Sequence, residues 1–170
     1  NWRGLNSFTK LYDREKSAVG WHGLNMDKFD ATVVPYINNK IFEKYISILN
    51  EEIKLCEGNK KLSLFAGKLE KYIELLINFT SWLKEKYKTS KDDVSSACND
   101  YLKVFGYISL GFSWLKILRI SHEKLNDNKD FFEDKINTAN YYFDKILPRV
   151  QSHYLSAISG SESIMKTKFN

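Results

Sequence analysis

The residues that most often carry catalysis or bind metals are few and scattered in this chain. Its three histidines, His22, His122 and His153, lie far apart and lack the spacing to cysteine or acidic residues that a metal site needs. Neither Cys56 nor Cys98 has an adjacent base that would activate a thiolate. These residues therefore predict neither a metal site nor a cysteine nucleophile.

Acidic pairs and phosphate-binding loops give no active site either. The pairs Glu51–Glu52 and Asp92–Asp93 consist of adjacent residues, which point about 100° apart on a helix and do not converge on a substrate. A solvated face and a helix N-terminus explain the two pairs more simply. No glycine-rich phosphate loop and no GxSxG nucleophile motif is present. We predict no catalytic, cofactor-binding or metal-binding residue in this chain.

Composition and charge favour a single globular domain. The 170 residues are 43% apolar, which is enough for one hydrophobic core, and the net charge of +5 comes from charges of both signs interspersed along the chain. A basic face with aromatics would suit single-stranded nucleic acid, but most aromatics fall on apolar helical seams, where core packing explains them more simply. We therefore expect no nucleic-acid partner.

The compartment follows from hydropathy and cysteine usage. No run reaches the roughly 18–20 uninterrupted apolar residues of a membrane span, and no signal peptide is visible. Cys56 and Cys98 both fall on apolar helical positions, which is typical of reduced core thiols. We expect a soluble protein of a reducing compartment, the cytoplasm or the mitochondrial matrix, with no membrane span.

The chain divides into an irregular N-terminal segment, residues 1–36, and a helical bundle, residues 37–170. The first segment contains three glycines and one proline and shows no sustained periodicity. Asn38 or Asn39 is the expected N-cap of a first helix, which Gly58 ends within a loop at 57–61. The apolar seam of this helix consists of Phe42, Ile46, Leu49, Ile53 and Cys56.

The second helix has the clearest pattern in the chain. Its apolar residues recur at alternating spacings of three and four, and a connection is expected at 87–93. The seam consists of Leu62, Phe65, Leu69, Tyr72, Leu76, Phe79 and Leu83, widened by Ile73, Ile77 and Trp82. Ser90 is the expected N-cap of the third helix, with Asp93 three positions later.

The third helix has two apolar faces and two interior glycines, Gly106 and Gly111. One seam consists of Val94, Cys98, Tyr101, Phe105, Ile108, Phe112 and Leu115, and the second of Val104, Tyr107, Gly111, Trp114 and Leu118. Since each interior glycine costs about 1 kcal/mol relative to alanine, close packing by a neighbour must offset it. The pattern predicts a central helix covered on both sides.

The second face of this helix is the candidate packing and interaction surface. It is made of Tyr107, Gly111, Trp114 and Leu118. An exposed stripe of that length would be an unusual apolar patch for a soluble monomer. We expect residues 1–36 to cover part of it and a partner surface the rest, with Gly111 marking the closest approach.

A fourth helix, capped by Asp127 or Asn128, completes the bundle and ends at Gly160. Its seam consists of Phe132, Ile136, Ala139, Phe143, Ile146 and Val150. Pro148 should kink or split this helix near Lys145, because a proline has no N–H to donate. The fold class predicted is all-α, an up-down four-helix bundle with an irregular N-terminal segment.

Two blocks of the chain resemble a known family. They are "CNDYLKVFGYISLGFSWLKI" (98–117) and "DFFEDKINTANYYFDKILPRVQSHYLSAISGSESIMKTKF" (130–169). The first carries Tyr101, Leu102, Phe105, Gly106, Gly111 and Trp114; the second carries Phe131, Phe132, Lys135, Tyr141, Tyr142, Phe143, Leu147, Pro148, Gly160, Met165 and Phe169. Over roughly residues 60–169 the chain resembles the C-terminal helical domain of the acyl-CoA dehydrogenase family, in the branch that includes 3-methylmercaptopropionyl-CoA dehydrogenase.

This resemblance implies a function without supplying an active site. In the family the catalytic glutamate lies ahead of this domain, and no glutamate stands beside Gly4–Leu5–Asn6, the only part of the N-terminus with any likeness to that segment. The implied role is a structural or oligomerisation domain of an FAD-dependent acyl-CoA dehydrogenase, which converts acyl-CoA to 2,3-enoyl-CoA in fatty acid metabolism. FAD would belong to the full enzyme, with none bound by this chain.

The implied partners are the remainder of the flavoprotein and a dimer mate, or a larger complex. The resemblance leaves three origins open: a fragment, a split subunit or a domain recruited elsewhere. The alternative function is a stand-alone helical interaction or scaffold protein without redox activity.

Overall fold

The computed structural model describes residues 40–166, which are helical with no strand in that range. The chain divides into two compact units, Asn1–Phe42 and Glu43–Asn170, and the packing below concerns the second. The predicted irregular segment 1–36 and the predicted caps Asn38 and Asn39 lie outside the described residues. The all-α fold class is confirmed.

The helices follow one another with short connections. They are α1 (Lys40–Cys56), α2 (Lys60–Thr89), α3 (Lys91–Glu123), α4 (Lys129–Tyr141), a π-helical segment (Tyr142–Ile146), α5 (Arg149–Ile158) and α6 (Glu162–Met165). Among the residues from 40 to 166, no helix is both long and apolar enough to cross a membrane.

Side-chain caps set the beginnings of the long helices. The Asn59 side chain accepts hydrogen bonds from the Lys61 and Leu62 amides, and the Asn128 side chain accepts one from the Phe131 amide. These bonds satisfy amides that have no partner in the first turn of a helix. Asn128 was one of the two predicted caps, whereas Asn59 was missed.

The junction between α2 and α3 is a single residue, Ser90. Its amide donates to the Lys86 carbonyl and so ends α2, while its hydroxyl accepts from the Asp93 amide at 3.3 Å and so begins α3. The predicted cap is confirmed, but the predicted connection over 87–93 is wrong. One extended residue provides hydrogen bonds to both helix ends, so the chain does not need a longer loop here.

Helix α2 buries its predicted seam. Leu62, Leu69, Tyr72, Leu76, Phe79 and Leu83 are buried, and Phe65 is half-buried. Leu49, Ile53 and Cys56 of the α1 seam are buried as well. The alternating spacing of three and four thus identified the core faces of both helices, whereas Ile77, which was predicted to widen the α2 seam, is exposed.

Helix α3 is central in the bundle. It packs against α2 on one side and against α4, the π-helical segment and α5 on another. Helix α1 reaches it through side chains, since the Tyr45 ring stacks on Phe105 with centroids 4.5 Å apart and the Tyr45 hydroxyl lies 2.7 Å from Ser109 Oγ. The prediction of a central helix covered on two sides is confirmed.

The fully buried line of α3 runs between the two predicted seams. It consists of Val94, Ala97, Val104, Ile108, Gly111, Leu115 and Leu118. Phe105 and Phe112 lie at one edge of this line, and Tyr107 and Trp114 at the other, all only half-buried. The prediction of two separate apolar faces is therefore wrong, because the two seams are the two edges of one broad core face.

The fourth predicted helix is split, as its proline required. Helix α4 ends at Tyr141, the Leu147 amide donates to the Tyr142 carbonyl five residues earlier at 2.9 Å, and α5 begins at Arg149. This wider turn lies directly before Pro148, which has no N–H for the usual helical bond. The predicted break near Lys145 is confirmed.

Candidate functional site

The predicted packing surface of α3 faces the π-helical segment and α5. Gly111 and Leu118 are buried, while Tyr107 and Trp114 are half-buried. The Tyr142 ring stacks on Trp114 with centroids 6.3 Å apart, and the Tyr142 hydroxyl donates to the Tyr107 carbonyl at 2.7 Å. The structure therefore brings all four residues to one side of α3, against the same chain.

Gly111 marks a close approach within the bundle. A Cβ atom at this position would lie 2.9 Å from Leu69 Cδ1 and 3.3 Å from Leu147 Cδ1. Leu69 and Leu147 thus occupy the space that a side chain at Gly111 would fill. This packing offsets the free energy that a glycine costs in the interior of a helix. We expected a surface from outside the bundle to approach α3 most closely at Gly111. This prediction is wrong, because Leu69 and Leu147 of the bundle itself lie there. A partner contact through the exposed parts of Tyr107 and Trp114 stays a prediction.

A histidine–carboxylate pair joins α5 to α3. His153 Nδ1 lies 2.8 Å from Asp100 Oδ1, and the Tyr107 ring stacks against the imidazole with centroids 5.7 Å apart. A carboxylate that orients an imidazole is one half of an acid–base site. Here the pair links α5 to α3, and the Tyr107 ring covers one face of the imidazole. Sequence reasoning missed it because the two residues are 53 positions apart.

A second charged cluster joins α1 to α3. Arg119 Nε lies 2.6 Å from Glu52 Oε1 and Arg119 Nη1 lies 3.0 Å from Glu123 Oε1, with Glu52 only 5% exposed. The hydrogen bond to Glu52 is the main reason why the pKa of Arg119 is raised. The interpretation of Glu51–Glu52 as a solvated pair is wrong for Glu52, because Arg119 allows its carboxylate to be buried.

A shallow cleft of about 320 Å³ lies beside this cluster. Its lining residues are Leu55, Gly58, Asn59, Leu62, Arg119, His122 and Glu123. Burial, together with the charge of Lys61, lowers the pKa of His122. The carboxylates of Glu52 and Glu123 already pair with the Arg119 guanidinium, so this arginine is not available to bind the diphosphate of FAD.

Asp93 fastens the turn after α5 to the junction of α2 and α3. Its Oδ1 accepts from the Ser161 amide at 2.9 Å and from the Ser161 hydroxyl at 2.8 Å, and Lys86 Nζ lies 3.1 Å from its Oδ2. The bonds from Ser161 are the largest cause holding the pKa of Asp93 at about 2. Gly160, at φ +82°, makes the turn, and a Cβ there would lie 3.2 Å from the carboxylate.

The two cysteines are unpaired thiols. Burial raises the pKa of Cys56 to about 11 and that of Cys98 to about 12, so both are protonated at neutral pH and poor nucleophiles. Within residues 40–166, no group of three or more His, Cys, Asp and Glu side chains is placed to hold a metal ion. Four ion pairs of the described range link one helical element to another: Lys68–Asp144, Lys86–Asp93, Glu52–Arg119 and Asp100–His153.

Comparison with known proteins places this bundle in a family. A search of curated proteins finds no match. A family model described as "Acetyl-CoA dehydrogenase C-terminal like" matches residues 46–168. That match starts within α1, whereas the resemblance seen in the sequence starts at about residue 60, and it extends over the rest of the bundle. The branch that includes 3-methylmercaptopropionyl-CoA dehydrogenase stays a prediction. The chain therefore belongs to the family of acetyl-CoA dehydrogenase C-terminal-like domains.

Proposed function

We propose that this chain is the C-terminal packing and oligomerisation domain of an FAD-dependent acyl-CoA dehydrogenase. The family match over residues 46–168 carries this proposal. The full enzyme would convert an acyl-CoA to the 2,3-enoyl-CoA, with FAD as the hydride acceptor. It would work in fatty acid metabolism, in the cytoplasm or the mitochondrial matrix.

The geometry of the bundle supports a structural role. Three charged residues, Arg119, His153 and Asp93, each pair with a residue of another helix or turn. Such pairs fix the register of neighbouring helices, and they leave the groups poorly suited to bind a substrate. The FAD and acyl-CoA sites and the catalytic base would lie in the remainder of the flavoprotein.

The size of the native polypeptide tests this proposal. The protein is isolated from its source with an antibody against the bundle, and its intact mass and N-terminal sequence are determined. We expect a much larger polypeptide, or a stoichiometric partner that carries the flavoprotein part. A native polypeptide of this size without such a partner would contradict the proposal and would favour the stand-alone interaction protein.

A further inference from the structure

We draw no further inference here: the strongest candidate, the exposed apolar stripe of Leu102, Gly106 and Leu110 along α3, carries nothing, because nothing within residues 40–166 shows what covers it.

Discussion

The two glycines of α3 allow the packing of the bundle to be measured with one substitution at two sites. Gly106→Ala adds a methyl group where no atom lies within 4 Å, so only helix propensity changes. The free energy of unfolding should rise by about 0.8–1 kcal/mol. Gly111→Ala gains the same propensity but places its methyl 2.9 Å from Leu69 Cδ1 and 3.3 Å from Leu147 Cδ1.

The cost at Gly111 depends on whether those two leucines can move. Leu69 and Leu147 are both fully buried at 0% exposure, so the Cδ1 methyl group of neither leucine can rotate into open space. Overpacking of a tight core typically costs about 1–3 kcal/mol. Gly111→Ala should therefore be less stable than Gly106→Ala by about that amount, leaving it between neutral and about 2 kcal/mol below wild type.

Urea unfolding followed by circular dichroism measures this difference. Parallel thermal scans should show a shift of about 2–4 °C for each kcal/mol in a chain of this size. If Gly111→Ala stabilised the chain as much as Gly106→Ala, the close approach of Leu69 and Leu147 to Gly111 would be refuted.

Four further predictions concern charge, backbone and cofactor. Asp93→Ala should cost about 1.5–3 kcal/mol at neutral pH, because the Ser161 donors lose a charged acceptor. Since the pKa of Asp93 is lowered to about 2 from 3.8, this stabilisation is complete above about pH 4 and is lost as the pH falls toward 2. Urea titrations from pH 2 to 7 should show that the difference in unfolding free energy between wild type and Asp93→Ala vanishes at the acid end. Arg119→Met should cost about 3–5 kcal/mol by leaving the buried Glu52 unpaired, and the double variant with Glu52→Leu should recover most of that loss in the same assay; no recovery would show that the charges do not act as a pair. Pro148→Ala should leave the unfolding free energy unchanged or raised, since a hydrogen bond to the Asp144 carbonyl can then form, and a large loss would show that the bulged turn depends on the proline. The purified 170-residue chain should show no flavin absorbance and no dehydrogenase activity, and one equivalent of bound FAD per chain would contradict this.

Local features of the fold could be predicted from the sequence because their causes are local. The seam of α2 follows from side-chain periodicity, and the Ser90 cap and the Pro148 break follow from the chemistry of single residues. These signals act within about one helical turn. They predicted that the long helices exist and which side of α2 is buried.

Contacts between distant residues could not be predicted in this way. Asp93 and Ser161 are 68 positions apart, and Glu52 and Arg119 are 67 apart, so their pairing depends on how the helices are set against each other. The neighbours of Gly111 were missed for the same reason. The sequence predicts two apolar faces for α3, whereas the structure shows two edges of one core face. The π-helical segment before Pro148 places Tyr142 against one of these edges, at Trp114 and Tyr107.

The central claim is that this bundle is one part of an acyl-CoA dehydrogenase. The most direct measurement isolates the native assembly with an antibody against the bundle and assays it with acyl-CoA substrates and an artificial electron acceptor. We expect bound flavin in stoichiometric amount and formation of a 2,3-enoyl-CoA product. An assembly that contains the bundle in good yield but has neither flavin nor acyl-CoA oxidation would contradict the claim.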